Sequence, residues 1–500
     1  MQDKADMTEQ KIDEPLTWPA VAAVAAGAPL SLSAPALARI ERAREVVAAI
    51  VSRGLRVYGV STGVGALSEV LVDRTRQSEL SHNIIMSHAC GVGSALPLAE
   101  TRAIMVCAIN NFAHGRSGVR PLTVRMLLDL LNNGLIPVVP RGGSIGYLIH
   151  MAHISLVLLG SGEARDGDTV LTGEEALRRL GYAPLTLEAK EGLSLVNGTP
   201  CATGLACVAL GRLQRLLDWA DVVAAMTFEN LGTRPAAFAQ EALQFRVSAG
   251  IAATGARLQR LLEGSGILAG AHANTQDAMS LRAIPQVHGG VRESFDTACD
   301  VVNRELESVT DNPIISGTPE DPVAYSQAHA IGAALALALD ALAIAIAKLA
   351  AMSERRIDRL VNPLVSGLPA FLARNIGVSS GFMIAQYTAL SLASENRRLA
   401  SPSSLDGGVS SALQEDEIPH ATTGALRVLE ICDNLETILA IELLAAAQAY
   451  EFQEPAEHRA PATDAVYQGL RRLIPVYADD RPLSKDLSAA IGFMRRTTPI

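Results

Sequence analysis

The chain has 500 residues, a formal net charge of -10 and six cysteines. A chain this long can bury large cores without disulfide or metal staples. Its acidic balance disfavours nucleic acid and anionic membranes as partners, leaving small molecules as the expectation.

The start, MQDKADMTEQKIDEP, is acidic and polar where a signal peptide needs a basic segment, so a cytoplasmic location is expected. Residues 1–25 read as a loose leader, with order expected from about Leu30. Ser33 is placed to cap a helix over 34–52, with Pro35 tolerated in its first turn. Gly54 to Gly65 (GLRVYGVSTGVG) is too rich in glycine for a helix and reads as a mobile loop carrying Tyr58. Two more irregular segments follow, Pro137 to Gly146 (PVVPRGGSIG) and Leu195 to Pro200 (LVNGTP).

Beyond residue 201 the pattern is of long apolar helices, expected over 203–232, 236–264, 287–309, 331–360, 379–398 and 422–450. The stretch Ile331 to Met352 is apolar enough for a membrane, but Asp340 and Lys348 interrupt it, so a buried bundle helix fits better. The fold class expected is mainly α, a long central helix bundle (201–500) with a smaller N-terminal mixed domain (26–200) carrying the active-site loops. Cys90, Cys107, Cys201, Cys207, Cys299 and Cys432 lie in apolar stretches with no CxxC pair or histidine cluster. They read as reduced core residues, and no metal is expected.

Polar residues in the breaks of a bundle are the informative ones, because an apolar core gives no stability reason for them. Tyr58 could aim a phenol at a substrate or merely anchor its loop. Asn197 could hydrogen-bond a substrate, although Asn-Gly is first a turn signal. Gln276, Arg282 and Gln286 suit a carboxylate clamp as well as a buried ion pair. Gln414, Glu415, Asp416 and Glu417 read by composition as a solvated acidic run. His88, alone among apolar neighbours, reads as a core histidine.

In combination these segments resemble the histidine/phenylalanine (aromatic amino acid) ammonia-lyase family from about Leu16 to beyond Ala449. The matching pieces are YGVSTGVG at Tyr58, MSHACGVG at His88, VVPRGGSIG at Gly146, SLVNGTP at Asn197 and QDAMSLRAIPQ at Gln276. ESVTDNP at Asn312, SERRIDRL at Ser353, FMIAQYTALSLASEN at Phe382 and QED at Gln414 complete the series. The resemblance implies a mainly α, ammonia-lyase/fumarase-like fold and a homotetramer with sites shared between subunits. It implies Tyr58 as base or acid, Arg282 as carboxylate clamp, Asn197 and Gln276 as positioners, and Glu415 as a contact to the amine or imidazole. His88, Gln414 and Met383 join the substrate-binding set, and Ser87-His88 resembles the histidine-selective branch.

The departures matter as much. In the family, GSxG is followed by Ala-Ser-Gly, which cyclises into a methylidene-imidazolone group. Here Gly146 is followed directly by Tyr147, three residues short. Tyr147 and His150 replace the family's Asp and Pro, Met279 its second catalytic tyrosine, and Gln327-Ala328-His329 its Asn-Phe-His. Positions that serve one group have changed together, which reads as real loss and no prosthetic cofactor. Tyr147 and His150 would then bind substrate or fill the vacated volume.

Without that electrophile a quaternary trimethylammonio group, which departs as neutral trimethylamine, is easier to expel than a free amine. The expected reaction is therefore elimination of trimethylamine from a histidine betaine such as ergothioneine, giving a urocanate-type acrylate, as in an ergothionase-like member. The alternative is an ordinary histidine or aromatic amino acid ammonia-lyase whose matured triad is not written as ordinary residues after Gly146. A second alternative is a non-catalytic homologue acting as a scaffold.

Overall fold

The computed structural model describes residues 8–270, 275–454 and 458–499. The chain divides into two compact units. Unit 1 comprises the chain up to Gly211 together with Ala298–Asp340 and Pro402–Leu426. Unit 2 comprises Arg212–Thr297, Ala341–Ser401 and the chain from Arg427 onward. Unit 1 thus gathers two later segments beside the first part of the chain.

All the named strands lie in unit 1, and all are short. Gln10–Ile12 pairs in parallel with Leu30–Leu32, and Val92–Ala95 runs antiparallel to Pro140–Gly142. Leu135–Pro137, Glu163–Asp166 and Thr169–Thr172 form a three-stranded antiparallel sheet, and Ile314–Gly317 pairs with Pro322–Tyr325. Between them the helix Gln77–His88 packs on Ile149–Leu158 and Glu191–Val196, which brings three cavity-bearing segments together.

Helix Ala34–Ser52 begins where the sequence says it should. The Ser33 hydroxyl accepts from the Ala36 N–H at 3.1 Å, and Pro35 occupies the first turn, where it removes no helical hydrogen bond. The leader, by contrast, is shorter than expected. Trp18–Ala26 is a helix with Trp18, Val21 and Val24 buried. Side chains from distant helices tie it down: Asn110 Oδ1 accepts from Leu16 N and Asn303 Oδ1 from Trp18 N, both at 2.9 Å. Those partners are remote in sequence, so local polarity concealed the order.

The long helices are Pro200–Asn230, Ile284–Glu307, Ala333–Val361, Met383–Leu399 and Ala421–Ala449, close to the expected spans. The span 236–264 is instead broken into Pro235–Phe238, Gln240–Leu243 and Ala249–Leu262. Ser248 restarts it, its hydroxyl accepting from Ile251 N at 3.1 Å. In unit 2 the core is built around Trp219, whose ring centroid lies 5.6 Å from that of a tilted Phe493, and around Arg356, fully buried and paired bidentately with Glu442.

Glu191–Asn230 and Ala333–Val361 are long and apolar enough to cross a membrane, but 94% and 67% of their most apolar windows are buried inside the protein. Asp340, the charge that interrupts the second, accepts from Ser403 N and Oγ and from Ser404 N within 2.9 Å, capping the turn at Ser403. The cysteines are all free, and five are buried, but Cys90 is exposed rather than in the core.

Candidate active site

Unit 1 contains a cavity of about 850 Å³. Six of the ten residues singled out from the sequence line it: Tyr58, His88, Tyr147, Asn197, Gln414 and Glu415. They come from five separate stretches of chain, and a distinct local reason positions each.

Tyr58 sits in the glycine loop after helix Ala34–Ser52. That loop is knotted by its own hydrogen bonds: Ser61 Oγ donates to Leu55 O at 2.7 Å, and Gly59 N donates to Thr62 Oγ1 at 3.2 Å. Gly59 suits glycine, because its φ is +63°, where a side chain is strained, and a Cβ there would displace Leu193 Cδ2, which lies 2.2 Å away. The Tyr58 hydroxyl accepts from Gly65 N at 3.0 Å. Burial raises the Tyr58 pKa above its ordinary value, the Gly65 N–H opposes this, and the charge of Glu415 adds to it.

His88 ends helix Gln77–His88 and is hydrogen-bonded through Nδ1 to Ser87 Oγ at 3.1 Å. It is half-buried on the cavity wall rather than in the core. Burial lowers its pKa, against the pull of a backbone bond to Ile84 and of Glu415.

Asn197 follows helix Glu191–Val196 and donates through Nδ2 to Asn312 O at 2.9 Å. Asn312 is held by Asp311, whose Oδ1 accepts its N–H at 2.7 Å. Asp311 in turn forms a fully buried ion pair with Lys190 at 3.0 Å. The ammonium also donates to Ser194 Oγ at 2.7 Å. Burial lowers the Lys190 pKa, and Asp311 opposes the shift. The sequence reading missed Lys190 and Asp311. A lone lysine in LEAKEG carries no signal when its partner lies 121 residues away.

Glu415 closes a turn in which Ser410 and Glu415 pair through their backbones at 2.8 and 3.2 Å. Ser411, Ala412 and Leu413 all have positive φ, so three non-glycine residues take a conformation that costs free energy. Ser411 Oγ accepts from Ala66 N at 3.2 Å, tying this turn to the Tyr58 loop. Tyr147 Oη donates to Glu415 Oε2 at 2.9 Å. The acidic run read as solvated therefore turns one carboxylate inward.

His150 is a correction to the expected substrate-binding set. It does not line the cavity. It is 1% exposed, with Nε2 bonded to Arg141 O at 3.0 Å and Nδ1 without a partner. It begins helix Ile149–Leu158 together with its neighbours, and helical rotation separates it from Tyr147. Gln276, Arg282 and Met383 belong to unit 2 and do not line the cavity either. Gln276 is exposed, and Arg282 Nε donates to Asp277 O at 3.1 Å. Met279 is 61% exposed. Among the described residues no cluster of His, Cys, Asp and Glu could hold a metal ion.

The Ala-Ser-Gly tripeptide from which a cyclised prosthetic group would be made occurs nowhere in the sequence. At its expected place Tyr147 reaches from Gly146 to Glu415. The site brings together two phenols, one of them bonded to a carboxylate, an imidazole and two amides. This set can hold a cationic or imidazole-bearing ligand and move a proton at Tyr58 Oη.

Comparisons with known proteins show the family. The model of a family described as aromatic amino acid lyase matches residues 16–472. A histidine ammonia-lyase of Symbiobacterium thermophilum is 46% identical over 95% of this chain and 94% of its own length. The crystal structure of histidine ammonia-lyase from Trypanosoma cruzi has a TM-score of 0.90 at 34% identity, covering 98% of this chain and 93% of that one. An ergothionase from Treponema denticola, in complex with desmethyl-ergothioneine sulfonic acid, has a TM-score of 0.91 at 24% identity, covering 98% and 99%, which shows the shared fold.

Proposed function

The chain belongs to the aromatic amino acid lyase family and is a carbon–nitrogen lyase of the ammonia-lyase type, and from that premise we propose that it eliminates the α-nitrogen of a histidine-like amino acid to give a urocanate-type acrylate. One observation carries the substrate class. Tyr58, His88 and Glu415 line one cavity in a chain 46% identical to a histidine ammonia-lyase. In this reading Tyr58 removes the β-proton, Glu415 and His88 meet the imidazole or the departing nitrogen, and Asn197 and Gln414 orient the backbone of the substrate.

The relatives favour histidine as the substrate and ammonia as the product. A second reading rests on a specific feature of this sequence, namely Tyr147 in place of the triad. With no electrophile encoded, a nitrogen that is already quaternary leaves more readily, which favours a histidine betaine and trimethylamine. We further propose a cytoplasmic homotetramer with sites shared between subunits. In it Gln276, Arg282 and Met383 of other copies complete the cavity, Arg282 taking the carboxylate as a bidentate clamp.

The test is a panel of histidine, its trimethylated betaine and ergothioneine. Ammonia, trimethylamine and the absorbance of the acrylate product are followed together. Ammonia from histidine supports the first reading and trimethylamine the second. Neither product from any of the three refutes the substrate class.

A further inference from the structure

We propose that Tyr147 is a positioning residue of this site, which occupies the place of the absent triad and ties down one oxygen of Glu415 so that the other faces the cationic group of the substrate. The proposal rests on the histidine-like substrate class argued above and adds to it a residue that the family pattern does not supply.

Three observations point this way. The first is how tightly the shortened segment is drawn. Ile149 N donates to Tyr147 O at 3.1 Å, closing a γ-turn around Leu148, whose φ of 75° and ψ of -66° belong to the rare, strained form. A leucine stays there only if its surroundings over-determine it. They do: Leu148 N donates to Val196 O at 3.0 Å, Ser144 Oγ to Tyr147 O at 3.0 Å, and Thr422 Oγ1 to Gly146 O at 3.0 Å. The direction of the Tyr147 side chain is thus fixed by bonds on either side of it.

The second is the end of that side chain. Tyr147 is 9% exposed and donates to Glu415 Oε2 at 2.9 Å. Burial and then the charge of Glu415 push its pKa up, so the phenol keeps its proton and remains a donor. Ser410 Oγ makes a long contact of 3.5 Å to the same oxygen, while Oε1 accepts nothing from the described residues.

The third is the surrounding charge. Glu415, Asp416 and Glu417 line the cavity, whereas its arginine, Arg56, is paired with Glu69. The wall is net acidic around a carboxylate with one free oxygen, which suits an imidazolium or a substituted ammonium. His150 shares none of this, so the two residues that replace the family's Asp and Pro divide their roles, Tyr147 toward the ligand and His150 toward packing.

The experiment uses Tyr147→Phe, which keeps the ring and removes only the hydroxyl, with Glu415→Gln and the double variant alongside. Steady-state rates on whichever panel substrate the wild type turns over are paired with calorimetric binding of urocanate. Loss of a hydrogen bond to a charged acceptor is expected to raise KM about tenfold to a hundredfold, with kcat changed no more than about threefold, as for a group that binds ground and transition states alike.

If Tyr147 acts through Glu415, Tyr147→Phe adds nothing in the Glu415→Gln background, whereas a merely structural role gives additive losses. Unchanged KM and urocanate affinity in Tyr147→Phe, or additivity in the double variant, overturns the proposal and leaves the substrate class standing. A Tyr147→Phe protein too unstable to assay, with Glu415→Gln folded and unaltered in KM, also overturns it. A wild type that neither binds urocanate nor acts on the panel overturns the substrate class and the proposal together.

Discussion

Replacing Tyr58 by phenylalanine separates chemistry from folding. The hydroxyl that is lost accepts one bond, from Gly65 N at 3.0 Å, and both residues are only half-buried. Water can take over the freed N–H, so the stability cost is about 0.5–1.5 kcal/mol. Removal of a base that takes the β-proton, in contrast, lowers the rate by about a hundredfold to ten-thousandfold. Activity should therefore collapse while the urea midpoint moves little, and no plausible unfolded fraction accounts for the gap.

The same residue predicts a pH profile. Burial and Glu415 raise the Tyr58 pKa above its ordinary value, so the base is its rare ionised form at neutral pH. The rate of the wild type should rise about tenfold per pH unit between pH 7 and 9. Initial rates of acrylate formation and urea melts on the same preparations check both statements. A Tyr58→Phe enzyme within tenfold of the wild type, or a wild-type rate flat from pH 7 to 9, refutes Tyr58 as the base.

Other perturbations follow from the same geometry. Lys190→Met leaves Asp311 buried with an unpaired oxygen, a loss of about 3–5 kcal/mol. Urea unfolding should show it, and Lys190→Met with Asp311→Asn should recover part of it. The pKa of His150 is pushed down to about 4 by burial. Below the unfolded value of about 6.5 the unfolded chain binds a proton that the folded chain refuses, so stability falls as pH drops from 6.5 toward 4, by up to about 3 kcal/mol from this group. His150→Gln should flatten that decline relative to the wild type in melts at pH 7, 5.5 and 4. A Cβ on Gly192 would lie 2.3 Å from Ser81 O and 2.5 Å from Ser81 Cα, both backbone atoms. Gly192→Ala should cost about 1–3 kcal/mol or more and lower activity by parting helix Gln77–His88 from helix Glu191–Val196, which circular dichroism melts and rates would detect.

The legible parts of this chain were those with local causes. Ser33 and Pro35 mark a helix start that the structure keeps, and, apart from the broken span 236–264, the apolar periodicities from residue 200 onward mark bundle helices whose ends lie within a few residues of the expected ones. The site was legible by motif: Tyr58, His88, Asn197, Gln414 and Glu415 meet although they are far apart in sequence. What sequence could not give were pairings between remote residues. Lys190 with Asp311 and Tyr147 with Glu415 span 121 and 268 residues, and neither member of either pair has a spacing that announces the other. Nor could it separate Tyr147 from His150. Three residues apart at the start of a helix, one points into the cavity and the other into the wall, a difference set by the turn at Leu148.

The hydroxyl of Ser411 couples two cavity-lining segments that are far apart in sequence. It spans the gap between the Tyr58 loop and the Glu415 turn with a single bond to Ala66 N, and a Cβ on Gly65 would lie 2.3 Å from it. One neutral bond of this kind contributes about 0.5–1.5 kcal/mol. The register of Tyr58 against Glu415 therefore rests on the close packing of Gly65 against Ser411 as much as on that bond.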